Sequence, residues 1–287
     1  MPAIRMRSAV AMWVTTVVVA AAALTGCDTP SEGGARKTSP RPSPSPTPVW
    51  DRSPASVAAV GDSITRGLNA CVLLADCPEA SWATGTDAQV KSLATRLGTP
   101  GWNFARSGAR MAELPGQMSL AAAKKPGLIT VMAGANDACR DSARLMTPVA
   151  DFRASFEQAM RELRKVSPTT QVYVSSVPDL KRLWSEGRGN PLGKQIWKLG
   201  LCRSMLADAD DLGSSAEQRR TRVHERVMAY NTVLRDVCAK DARCRYDGGA
   251  VFAYRFTGEQ LSPWDWFHPS RNGQERLAEI AYRVITS

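Results

Sequence analysis

The chain of 287 residues holds only two histidines, His224 and His268, so few side chains can move a proton near neutral pH. His268 stands in DWFH (265–268), three residues after Asp265, a spacing at which a carboxylate can hold the imidazole in the tautomer a general base needs. His224 lies among Arg and Glu beside an apolar stripe and reads as a helix-surface histidine. A serine hydroxyl attacks poorly until such a base takes its proton. Ser63 is the candidate: GDSITRG (61–67) follows the apolar run SVAAV (56–60), and its two glycines permit a sharp turn from strand to helix. A tetrahedral intermediate also needs donors aimed at its oxyanion, each worth about 3 kcal/mol in the barrier. The Ser63 amide, the Gly108 amide in NFARSGARM (103–111) and the Asn136 side chain in GAND (134–137) meet that need, and glycine leaves the approach open. Together these are the parts of a serine acyl hydrolase. Around them, Asp62 reads as a turn residue, Asp137 as a brace for the Asn136 loop, and Arg66 and Arg106 as solvated cations. Trp264 and Trp266 suit either the packing of the DWFH loop or the wall of an acyl pocket.

Such residues work only if the fold gathers them. Short apolar runs alternate with longer amphipathic stretches, the pattern of βα units around a mostly parallel sheet. Strands are expected at 57–60, 102–105, 128–133 and 172–177, with a short fifth near 250–252, and helices at 87–97, 113–124, 151–166, 220–240 and 272–285. The helix at 151–166 is the clearest, because Phe152, Phe156, Ala159, Met160 and Leu163 recur at helical spacing. Ser63, Gly108 and Asn136 then follow three strands, and the carboxyl ends of parallel strands are where sites assemble in open α/β sheets. Residues 179–239 break the alternation and are expected to build a pocket wall.

The four blocks resemble those of the GDSL or SGNH hydrolases, a family labelled by Ser, Gly, Asn and His in successive blocks. Here these are Ser63 in GDSITRG, Gly108 in ARSGAR, Asn136 in GAND and His268 in DWFHP, in family order and spanning nearly all of the expected domain. Ile64 replaces the leucine of the name pattern, a conservative apolar change. The resemblance implies a three-layer α/β/α sandwich and ester hydrolysis without a cofactor. It implies too that Asp265 and His268 complete the triad, although in some members a backbone carbonyl orients the histidine. Six cysteines and a basic domain are most similar to the secreted actinobacterial esterases and lipases of the family. The order Ser, then Asp and His close together, with no GxSxG, argues against the separate α/β-hydrolase fold.

The organisation before the domain is equally suggestive. Arg5 and Arg7, the apolar run Ala9–Ala23 and Leu24-Thr25-Gly26-Cys27 read as a lipoprotein signal segment over 1–27, with Cys27 the lipid-bearing first mature residue. Residues 28–54 are Pro- and Ser-rich and read as a disordered linker, leaving 55–287 as one hydrolase domain. With Cys27 set aside, six cysteines remain in a chain expected outside the cytoplasm on the outer face of the cell membrane. About fifteen pairings are possible; spacing favours Cys71–Cys77 and Cys238–Cys244, which leaves Cys139 with Cys202. No Cys/His cluster has zinc spacing, so no metal is expected. The net charge of +10 is scattered among acids with no nucleic-acid motif beside it, so the expected partners are a small-molecule or lipid ester and, through Cys27, the membrane, for a protein acting as a monomer. A carboxylesterase or lipase is the first reading, a carbohydrate O-deacetylase the second, and a non-catalytic surface-binding lipoprotein the reading from outside enzymology.

Overall fold

Runs of four or five mainly apolar residues that must be covered on both faces form the three central strands, and two shorter strands flank them. The computed structural model describes residues 49–287. In chain order the strands are β1 (Val57–Gly61), β2 (Gly101–Asn103), β3 (Leu128–Met132), β4 (Gln171–Val174) and β5 (Cys244–Tyr246). They form one parallel sheet in the order β2-β1-β3-β4-β5. β1, β3 and β4 are buried at every residue, as a sheet sandwiched between helices requires.

The helices are α1 (Ser63–Arg66), α2 (Leu93–Leu97), α3 (Leu114–Ala122), α4 (Ala135–Ala138), α5 (Val149–Val166), α6 (Leu180–Gly187), α7 (Pro191–Trp197), α8 (Arg203–Leu206), α9 (Ser214–Cys238), α10 (Ala250–Ala253) and α11 (Arg271–Thr286). α3, α5 and α9 pack side by side on one face, while α11 packs with α2 on the other, giving the expected three layers. The expected apolar stripe of α5 is buried, and Phe152 stacks on Tyr230 of α9 with ring centroids 4.1 Å apart. Because β2 lies on one side of β1 and β3 on the other, the chain reverses its winding between β1 and β3. At such a switch point the loops diverge and leave a crevice at the carboxyl ends of the strands.

Three expectations are corrected. The fifth strand is Cys244–Tyr246, not 250–252. Gly248 and Gly249 both adopt left-handed backbone (φ 69° and 84°) and turn the chain into α10, so the apolar Ala-Val-Phe belongs to a helical turn. The expected helix 87–97 is helical only from Leu93, because Lys91 has φ 47° and Ser92 caps the helix by accepting from the Thr95 amide. The insertion holds four helices rather than two, and its longest, α9, starts at Ser214. A further difference lies at the expected domain start. Trp50 donates Nε1–H to the Ile285 carbonyl at 2.9 Å and lies 4.4 Å under the Arg245 guanidinium, while Asp51 and Gln171 exchange two hydrogen bonds. One aromatic ring among prolines and serines thus anchors the end of the expected linker to the domain. The signal segment, Cys27 and most of that linker lie outside the described residues.

The three disulfides are Cys71–Cys77 and Cys238–Cys244, the two pairs that spacing favoured, and Cys139–Cys202, the pair they left. Cys139–Cys202 spans 63 residues and ties the end of α4 to the start of α8. Closing a loop of that length restricts the unfolded chain by about 4 kcal/mol. Replacing both cysteines by serine is therefore expected to lower unfolding stability by roughly that amount in urea titration; a loss under about 1 kcal/mol would contradict the entropic account.

Candidate active site

Ser63 owes its position to the residues on either side. Gly61 has φ +146°, and a Cβ there would lie 2.0 Å from the Met132 carbonyl oxygen of β3, so only glycine lets β1 pass this close as it turns. Gln117 of α3 fixes the same glycine twice: the Gly61 amide donates to Oε1 at 2.7 Å and Nε2 donates to the Gly61 carbonyl at 3.0 Å. Asp62 then caps α1 by accepting from the Ile64 amide at 3.0 Å, which leaves Ser63 as the first helical residue.

Across 205 residues of sequence, Ser63 Oγ meets His268 Nε2 at 3.0 Å. His268 Nδ1 meets Asp265 Oδ2 at 2.6 Å. The two residues are nearly sealed from solvent, at 7% and 1% exposure, so the carboxylate is held in a medium that strengthens its grip on the ring. Asp265 Oδ1 accepts from the Phe267 and His268 amides, both at 2.9 Å. The group that meets His268 Nδ1 is thus the Asp265 side chain rather than a backbone carbonyl. Burial alone would lower the His268 pKa; the charge and hydrogen bond of Asp265 outweigh it, with Asp62 and Asp76 adding, and hold it above the usual 6.5. Burial likewise pushes the Asp265 carboxyl up, but His268 and Asn69 more than offset this and leave it below the ordinary range.

Gly108 and Asn136 line the same cavity as Ser63 and His268. Gly108 has φ +79°, a conformation that favours glycine independently of any need for an open approach. Among the described residues neither the Ser63 nor the Gly108 amide has a protein acceptor, which leaves both as donors at the cavity. Asn136 Nδ2 donates to the Ala109 carbonyl at 3.0 Å, and Asp137 Oδ2 accepts from the Met111 amide at 2.8 Å. α4 is thereby locked to the Gly108 loop, and Asp137 has the bracing place expected of it.

The cavity measures about 300 Å³, and its wall is mainly apolar: Leu68, Leu180, Leu183, Leu201, Phe256, Leu261 and Phe267, with the Cys139–Cys202 disulfide. Leu180 to Cys202 come from the insertion, which was expected to supply this wall. Trp264 and Trp266 do not line it. Trp266, at φ +51°, packs on Gly193, and Trp264 is partly exposed. His224 pairs with Asp179 at 3.1 Å on the helix surface, as expected from its neighbours. The sequence reading missed Asn69, whose Nδ2 donates to Asp265 Oδ2 at 2.5 Å, and Trp197, whose Nε1 donates to the Asp265 carbonyl at 2.7 Å. Neither sits in a motif; the cysteine two residues after Asn69 was the one local sign that its loop is held.

Asp62 carries a separate consequence. It is fully buried, its Oδ2 has no hydrogen-bond partner among the described residues, and burial pushes its pKa up to about 7. A carboxyl whose pKa is higher folded than unfolded stabilises the fold while protonated, and that contribution disappears as pH rises toward the folded value. Asp62→Asn cannot ionise. The melting temperature of the variant relative to the native chain is expected to rise between about pH 4 and 7 and then level off. A difference flat across that window in calorimetry would refute the assignment.

A hydroxyl bonded to an imidazole, itself held by a buried carboxylate and set beside free amide donors, can deliver a serine nucleophile to an acyl carbon. A family model described as GDSL-like lipase/acylhydrolase matches residues 57–281. Among solved structures, one described as a GDSL-like lipase from Parabacteroides merdae superposes with a TM-score of 0.50 at 14% identity, covering 84% of this chain and 99% of its own. A salicylyl-acyltransferase from a tetracycline biosynthetic pathway gives 0.52 at 19% identity, over 81% of this chain and 54% of its own. At such identities the likeness is one of fold. No curated protein matches the sequence. The family match over most of the chain, on a sheet that brings the four blocks to one crevice, makes this protein a member of the GDSL-like lipase/acylhydrolase family and an ester-bond hydrolase.

Proposed function

We propose that the chain is an extracellular serine carboxylesterase of the lipase type, working as a monomer on esters whose acyl chain enters the apolar cavity. His268 Nε2 takes the proton of Ser63 Oγ as that oxygen bonds to the ester carbonyl carbon. The oxyanion is received by the Ser63 and Gly108 amides and the Asn136 side chain. Collapse breaks the bond to the alcohol oxygen, which leaves with the proton from His268. Water then attacks the acyl-enzyme, gives its proton to His268, and Ser63 departs with it. Asp265 holds the ring throughout.

One observation carries this reading: the bonded chain Ser63–His268–Asp265 opens onto a cavity with an apolar wall. Among the described residues its polar lining side chains are Ser63, Asn136 and His268, and the rest of the wall offers apolar surface to an acyl chain. That favours an acyl-chain ester over an acetylated polysaccharide. Three disulfides support an oxidising compartment. Arg5, Arg7, the run Ala9–Ala23 and the LTGC stretch support export and lipid attachment at Cys27, with the residues up to Val49 as spacer.

A panel of aryl esters of increasing acyl length, beside an acetylated polysaccharide, tests the substrate. Each methylene buried in the cavity is worth about 0.8 kcal/mol, so kcat/KM is expected to climb roughly fourfold per methylene until the cavity is full. Activity confined to acetyl groups on the polysaccharide would reverse the preference.

A further inference from the structure

We propose that Asn69 is a positioning residue for hydrolysis, holding the Asp265 carboxylate to His268 from the loop that Ser63 itself begins. The proposal rests on the triad reading above. Asn69 is 3% exposed and has left-handed backbone (φ 60°), which asparagine tolerates better than most residues. Its amide donates to the Ala75 carbonyl at 3.0 Å, and its own carbonyl accepts from Ser262 Oγ at 2.7 Å. The side-chain Oδ1 accepts from the Leu74 amide at 2.6 Å. An N–H must meet an acceptor, so this bond fixes which end of the side-chain amide is oxygen and turns the NH2 end toward the carboxylate. Nδ2 donates to Asp265 Oδ2, the same oxygen that meets His268 Nδ1.

The donors to the other carboxylate oxygen, Phe267 and His268, come from the DWFH segment itself. They cannot fix that segment relative to Ser63. Asn69 can, because the chain from Ser63 to Cys77 is stitched together throughout. The Leu68 amide donates to the Ser63 carbonyl at 3.0 Å, the Cys77 amide donates to the Arg66 carbonyl at 3.2 Å, and Cys71–Cys77 closes the loop. Gly67, with φ 66°, lets the two limbs approach, since a Cβ there would lie 2.4 Å from the Cys77 carbonyl oxygen. Ser63, His268, Asp265 and Asn69 therefore form a closed ring, completed by backbone from Asn69 to Ser63. Such a ring sets the distance between nucleophile and base from both sides, and small errors in that distance are costly, roughly a hundredfold for 1 Å.

Two variants separate positioning from folding. Asn69→Gly keeps the left-handed backbone and removes both the donor to Asp265 and the acceptor for Leu74; Asn69→Asp keeps that acceptor and sets a carboxyl against Asp265. For Asn69→Gly, kcat is expected to fall about 10- to 100-fold with KM within about twofold. For Asn69→Asp, added negative charge joins that of Asp265 beside His268, and the acidic limb of kcat/KM is expected at higher pH. Melting temperatures close to native would place both effects in the site. Wild-type kcat and an unmoved limb in both variants would overturn the proposal, as would a drop explained wholly by loss of folded protein. Ser63→Ala is the control: activity surviving in it defeats the triad reading, whereas an inactive Ser63→Ala beside fully active Asn69 variants defeats only the role of Asn69.

Discussion

Ser63→Ala is expected to abolish ester hydrolysis, lowering kcat by about 10⁴- to 10⁶-fold while leaving the fold intact. The hydroxyl's hydrogen bond is to His268, and no backbone group depends on it. The turn that presents it is held by Gly61, Gln117 and the Asp62 cap, none of which the substitution touches. What remains is a base with no nucleophile to activate, beside intact oxyanion donors. Two readouts should agree: hydrolysis of an aryl ester, and covalent labelling by a fluorophosphonate, which needs an activated Oγ. An alanine variant retaining even a tenth of native kcat would show that another group attacks the ester.

Asp265→Asn should cost about 10⁴-fold in kcat, because it moves the ring proton to the wrong nitrogen while leaving the packing around the histidine in place. The asparagine oxygen can still take the Phe267 and His268 amides. Its NH2 must then face His268 Nδ1, which becomes an acceptor and forces the ring proton onto Nε2. That nitrogen would donate to Ser63 where it has to accept. The same NH2 also confronts the NH2 of Asn69, so two donors meet without an acceptor. Because the native carboxylate holds the His268 pKa above its usual value, the variant's residual activity should persist to lower pH than the native enzyme's. A variant active to within tenfold of native would mean that the histidine is oriented by something other than Asp265.

Much of this architecture was legible because buried strands and long helices leave strong periodic signals. β1 and β3 are unbroken apolar runs, α5 and α11 carry clean stripes, and the expected bounds fall within a residue or two of those found. β5 gave no such signal, since an edge strand of Cys-Arg-Tyr, half-buried along its length, needs no apolar run. The core of the candidate site was legible for another reason. Two histidines leave little choice of base, and polar blocks directly after buried strands stand out. Asn69 stood outside that logic. Its partner lies 196 residues away, and a lone asparagine in a loop has no period or motif to announce it. Trp264 and Trp266 show the converse: prominent by type, they pack or face solvent rather than line the cavity.

The anchoring of Trp50 gives the domain two poles. Trp50 and Asp51 are fastened to Ile285 and to Gln171, where β4 begins, while Ser63 and Asn136 follow the last residues of β1 and β3. The polypeptide thus enters beside the amino ends of the strands, at the far side of the sheet from the mouth of the cavity. Whatever is fused or grafted ahead of Trp50 pulls on the end that does no chemistry. Immobilising the enzyme on a bead through a tag there should leave turnover nearly untouched, with the open mouth turned outward to the solution.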